Sequence, residues 1–143
     1  MHKIFGKKES AIYLVRKGAY IIPIKDEEVG VVETKKGLFL FGGGIDNGET
    51  DEQCIIRECI EEVGYRVEIN ERVCSAETYY EHPKIGFFHP IQVYYSRKLV
   101  KKVKEPVEQD HVLRWVRYEN IKGKMYLEMQ SWAVEQIVKE RIK

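Results

Sequence analysis

Between Phe41 and Gly64 the chain runs FGGGIDNGETDEQCIIRECIEEVG. This stretch constrains the fold more than any other. Thr50 followed by Gln53 is the signature of a capping box and sets a helix start. Gly64 suits the left-handed position just past a helix end. The pair predicts a helix over 51–63. At about 100° per residue, Ile55, Ile56, Cys59, Ile60 and Val63 share one side, to be buried against a sheet. Glu58, Glu61 and Glu62 fall on the other side at i, i+3 and i+4, so they are neighbours. Three adjacent carboxylates with no lysine on that face ionise together only at a cost. Some stay protonated, a cation sits among them, or the face is simply solvated. Oxygen ligands select hard ions, Mg²⁺ first, with Mn²⁺ or Ca²⁺ as substitutes.

The rest of the chain reads as strands with one further helix. GAYIIPIK (18–25) and VGVVETK (29–35) flank the polar turn Asp26-Glu27-Glu28, and LFLF (38–41) leads into the glycines. Long strands are expected over 65–82 and 87–100, antiparallel partners joined through 83–86, with Pro90 marking an edge or a bulge. Residues 112–121 read as a strand leading into a turn. The end of the chain carries Leu127, Trp132, Ala133, Ile137 and Val138 at amphipathic-helix spacing. Trp115 and Trp132 are assigned to the core. The first ten residues carry little signal. An α/β architecture follows, with a mixed sheet packed between helices. At 143 residues, one domain over 1–143 is the expectation.

Composition narrows the function class. A net charge of +1 gives no bulk electrostatic reason for a nucleic-acid or membrane partner. A local basic patch at Lys98, Lys101, Lys102 and Lys104 keeps an RNA 5′ end among the alternatives. Three cysteines, Cys54, Cys59 and Cys74, form no CxxC pair, which argues for a reducing compartment, and Cys54 and Cys59 on the predicted helix are read as packing like small apolar residues. With no apolar leader and no run of membrane-span length, a cytoplasmic protein is expected.

The spacing from Gly43 through Glu49 to Arg57-Glu58, Glu61-Glu62 and Gly64 resembles the Nudix box of the Nudix hydrolases, the family of the MutT-type nucleotide pyrophosphohydrolases. Seven fixed positions are met, and at average residue usage a chance match is about one in 10⁸ per starting position. Cys59 and Tyr65 stand where the family prefers an aliphatic residue, and Phe41 replaces a proline common before the glycines. The flanking strands and the RWV segment at Trp115 extend the resemblance over most of the chain. It implies the Nudix alpha/beta/alpha sandwich.

It also implies Mg²⁺-dependent hydrolysis of a phosphoanhydride bond in a nucleoside diphosphate linked to some group X, such as a nucleoside triphosphate. Sugar nucleotides, dinucleoside polyphosphates, RNA 5′ ends and a non-catalytic nucleotide-sensing module are the alternatives. Carried over residue by residue, Glu61 and Glu62 are the principal metal ligands. Glu58 is a further ligand or the base, and a backbone carbonyl at Gly42 or Gly43 is an added ligand. Arg57 pairs with Glu49 to hold loop and helix in register, and Gly64 is structural. The catalytic base often lies in a later loop, here KEPVEQDH, with Glu108 preferred over Glu105, Asp110 and His111. Tyr79, Tyr80 and Phe88 are candidates to stack on a base, and Arg16 is a candidate to meet phosphate. The oligomeric state is open, a homodimer included.

Overall fold

The structure is a computed structural model, described here over residues 1–105 and 110–141. Nine strands and three helices lie in these residues: β1 (His2–Phe5), β2 (Leu14–Lys25), β3 (Glu28–Thr34), β4 (Gly37–Phe39), β5 (Phe41–Gly44), α1 (Asp51–Val63), β6 (Tyr65–Thr78), β7 (Tyr80–His82), β8 (Gly86–Lys102), β9 (Val112–Arg117), α2 (Tyr118–Ile121) and α3 (Glu128–Arg141). The sheet runs β1-β6-β8-β2-β3-β4, with β5 on β2, β7 on β8 and β9 on β3. β1–β6 and β2–β8 are parallel and the other pairings antiparallel, so the sheet is mixed.

Alternation along β2 assigns its two faces. Ala19 and Ile21 join Val32, Phe41 and Val67 beneath Cys54, Ile55, Cys59 and Val63 of α1. Ile22 joins Val29, Val31, Leu40 and Tyr94 beneath Met129, Ala133, Val134 and Ile137 of α3. A period of two on the strand thus feeds two cores on opposite faces. This is the expected mixed sheet between helices, the Nudix-type sandwich. Among the described residues, no helix is long and apolar enough to cross a membrane.

α1 begins and ends where the sequence places it. Thr50 Oγ1 accepts from the Gln53 N–H, and the Gln53 side chain accepts from the Thr50 N–H. Gly64 closes the helix at φ 73° and donates to the carbonyls of Ile60 and Cys59. A Cβ there would stand 1.9 Å from the Lys104 carbonyl oxygen.

Several expectations are corrected. The run over 65–82 is two strands broken at Tyr79, while 112–121 is the expected strand leading into a turn: β9 ends at Arg117 and the single turn of α2 begins at Tyr118. Pro90 lies inside the sheet, on a strand between β2 and β6, so it marks no edge. It pairs with Arg16 of β2 on one side, and on the other it lies between the last β6 pair, Glu77↔Ile91, and the first β7 pair, Tyr80↔Phe88. The first residues form β1, a short parallel edge strand on β6. The glycine triplet is itself strand, paired with Gly18–Tyr20 of β2.

Candidate active site

α1 also departs from the helical wheel. Ile56 is exposed, and Glu62 is buried at 6% exposure. Glu62 turns inward because β5 offers it a partner: the Gly42 N–H donates to Oε1 at 3.0 Å. Its other oxygen lies 3.3 Å from His111 Nδ1. Burying a carboxylate is tolerated where hydrogen bonds meet it, as here.

β5 brings the glycines against this helix face. A Cβ on Gly43 would sit 2.6 Å from Glu58 Oε2, so that carboxylate rests directly on glycine backbone. A Cβ on Gly42 would sit 2.2 Å from the Ala19 carbonyl oxygen and 2.7 Å from the Tyr20 Cα, and φ there is 143°. Glycine is therefore required where β5 passes closest to β2. Beneath the glycines, the Cys54 thiol donates to the Gly43 carbonyl at 3.3 Å. Burial, with Glu49 nearby, pushes this thiol up to about 11, so it stays a donor.

Arg57 organises the acidic side. Its Nε donates to Glu49 Oε2 at 2.7 Å and its Nη2 to Glu49 Oε1 at 3.0 Å, a bidentate fork. Nη2 also donates to the Gly44 carbonyl at 3.2 Å, and Nη1 donates to Glu58 and, at 3.5 Å, to Glu61. One guanidinium thus ties the loop, the glycine strand and two of the three helix glutamates together. Its hydrogen bond to Glu49 holds Arg57 well above its ordinary value.

The same bond from Arg57, helped by the Asp46 N–H, lowers Glu49 to about 2. The folded value lies below the ordinary 4.5, so this ion pair contributes stability above the ordinary carboxylate range. That contribution is lost as pH falls from about 4.5 toward about 2. A carbon-detected titration of the Glu49 carboxyl is expected to show a midpoint near 2. A midpoint at the ordinary value would mean the fork is not formed in solution.

The other expected site residues divide. Arg16, Tyr80 and Phe88 line one hollow of about 180 Å³. Tyr79 stands apart, stacked on His89 at 4.0 Å with its hydroxyl donating to Glu77. Asp110 and His111 line a larger cleft of about 500 Å³ that also holds Glu62, Gly42, Tyr20, Lys35 and Lys36. Glu108 lies outside the described residues, and Glu105 is exposed. Tyr20, Lys35 and Lys36 escape sequence reading. The one signal for the two lysines is that TKK ends in the turn before β4, the strand that leads to the glycines.

Among the described residues, no three acidic, histidine or cysteine side chains are gathered closely enough to hold a metal ion. Arg57 is bonded to Glu58 and Glu61, and Glu62 is turned to Gly42. The donor types nevertheless fit a hard divalent cation. They are carboxylate oxygens on adjacent turns of one helix, beside glycine carbonyls that no Cβ shields.

A family model for the NUDIX domain matches residues 14–136. Among solved structures, a MutT NUDIX hydrolase from Burkholderia pseudomallei is 21% identical with a TM-score of 0.71, covering 87% of this chain and 98% of that one. The MutT protein from Methanosarcina mazei Go1 is 19% identical with a TM-score of 0.71, covering 94% and 100%. The E. coli ORF135 protein is 16% identical with a TM-score of 0.66, covering 90% and 92%. A search of curated protein sequences gives no match.

Proposed function

The chain belongs to the NUDIX family, hydrolases that act on pyrophosphate bonds, and from that premise we propose that it cleaves a nucleoside diphosphate linked to a group X, with a divalent cation. Mg²⁺ is the proposed ion and Mn²⁺ its substitute. The observation that carries this reading is the seating of Glu58 on the Gly43 backbone, beside a helix face whose other carboxylates are Glu61 and Glu62. These three glutamates and the Gly43 carbonyl would hold the ion. Bound there, it would neutralise diphosphate charge and acidify a water.

The chain's own residues supply the rest. The Arg57–Glu49 fork ties the loop to α1, and the Arg57 bond to the Gly44 carbonyl ties the glycine strand to the same helix, which supports the reading that this face is held ready for the cation. Lys35 and Lys36 offer positive charge in the larger cleft beside Glu62, suited to a phosphate chain or an anionic X. Glu58 or Glu108 takes the proton of the attacking water. The catalytic unit is proposed to be one domain over 1–143 acting on a small nucleotide, a nucleoside triphosphate among the candidates.

Product analysis in ¹⁸O-labelled water over a nucleotide panel with Mg²⁺ tests this. Label is expected in one phosphate product of a nucleoside diphosphate derivative, which identifies both X and the attacked phosphorus. Label absent from the products across the panel, with Mn²⁺ as well as Mg²⁺, would leave a binding module instead of an enzyme.

A further inference from the structure

The smaller hollow has a directional floor. Gln130 on α3 is fully buried, and its Oε1 accepts from the Leu40 N–H at 2.9 Å. A backbone donor therefore fixes which end of that amide is oxygen. The Gln130 Nε2 must then face outward along the chain of contacts, and it donates to Gln92 Oε1 at 3.1 Å. The Tyr94 hydroxyl donates to the same oxygen at 2.8 Å. Two buried donors thus orient Gln92, itself 5% exposed, with its NH₂ group toward Tyr20 and the hollow. Its contact with the Tyr20 hydroxyl is the long one, at 3.5 Å.

The walls are of three kinds. Tyr80 and Phe88 are cross-strand partners with ring centroids 5.8 Å apart and planes at 83°. Arg16 and Lys17 supply cations, and among the described residues no acidic side chain lines the hollow. Arg16 Nε lies 2.8 Å from where a Cβ on Gly44 would stand, and the Gly44 carbonyl accepts from Arg57. Ring, cation and glycine strand therefore follow one another toward the helix glutamates. A volume of about 180 Å³ gives room for one flat heterocycle.

We propose that this hollow holds the nucleobase of the substrate and selects bases presenting a carbonyl oxygen over bases presenting an amino group at the same edge. The Tyr80 and Phe88 rings pack on the base, the Gln92 NH₂ donates to its carbonyl, and Arg16 and Lys17 meet the phosphates as they leave for the glutamates. An amino substituent would set donor against donor at a floor that cannot flip without breaking the contacts to Gln130 and Tyr94. The proposal rests on the reading above that the substrate is a nucleotide.

Inosine and adenosine 5′-monophosphates differ at the 6-position, a carbonyl beside N1–H in one and an amino group beside a bare N1 in the other, and contain no phosphoanhydride bond. Their binding to the full chain, by calorimetry and by NMR, tests the hollow without hydrolysis. Inosine monophosphate is expected to bind at least about tenfold more tightly, as a site built round a fixed hydrogen-bond donor requires. Its titration is expected to shift the Gln92 side-chain amide and the Tyr80 and Phe88 rings. Gln92→Leu should bring the two affinities together. Because Gln92 sits in a buried network, Phe88→Leu serves as a second variant and should weaken both nucleotides while keeping their ratio. Equal or reversed affinities in the unaltered chain, or shifts confined to the Lys35–Lys36 cleft, overturn the proposal. A chain that hydrolyses nucleotides without preferring inosine loses this pocket and keeps the catalytic reading. One that selects inosine but hydrolyses nothing does the reverse.

Discussion

Glu61→Gln is expected to slow phosphoanhydride hydrolysis on the order of 10²- to 10⁴-fold, the range in which a positioned charged group contributes to such a step. The substitution keeps shape and volume and removes one negative charge. Glu61 is the most exposed of the three helix glutamates for which side-chain exposure decides the choice, at 41% against 17% for Glu58 and 8% for Glu62. Its contact with Arg57 is long, at 3.5 Å, whereas Glu62 receives the Gly42 N–H. The fold should therefore remain within about 0.5 kcal/mol of the parent. Kinetics and thermal unfolding on the same sample separate the two effects. A large loss of rate with an unchanged melting temperature assigns Glu61 to the chemistry. An unchanged rate removes it from the site.

Gly42→Ala is expected to produce a large loss of stability. The new Cβ would meet the Ala19 carbonyl oxygen at 2.2 Å and the Tyr20 Cα at 2.7 Å. Both are backbone atoms of β2, inside the sheet, and cannot step aside as a side-chain end does. The φ of 143° adds strain of its own. A cost of at least about 3 kcal/mol follows, or a fall of about 10 °C in melting temperature for a chain of this size. Displacing β5 would also withdraw the N–H that holds Glu62, so activity should fall with stability. Gly44→Ala is the control, because its Cβ meets only the flexible end of Arg16, and it should cost less than about 1 kcal/mol. Similar melting temperatures for the two variants would show that β5 does not run as described.

The helix and its ends were legible because local chemistry decides them. A Thr-Gln capping box and a left-handed glycine act within one turn, and both form. The acidic spacing and the pairing of Arg57 with Glu49 also lie within one short segment of chain. What the sequence hid depends on partners far along the chain. Glu62 reads as solvent-facing by periodicity, yet a β5 N–H draws it inward. Gln130 carries no signal in the sequence, yet it is fully buried, because Leu40 and Gln92 meet its amide from 90 and 38 residues away. The glycine triplet lacks the side chains by which strands are recognised, and its place in the sheet is set by the close approach of β2. Tyr79 and Tyr80 are adjacent in sequence, but the break between β6 and β7 sends one to His89 and the other to the hollow.

Phosphate release from the nucleotide panel, followed while Mg²⁺ is returned to chelator-treated protein, tests most directly whether the glutamates of α1 hold a catalytic cation. The unaltered chain is expected to rise from baseline to a saturating rate, and Glu61→Gln to stay near baseline over the same range. Hydrolysis that persists at full rate in excess chelator, or that is equal in the two proteins, would contradict it.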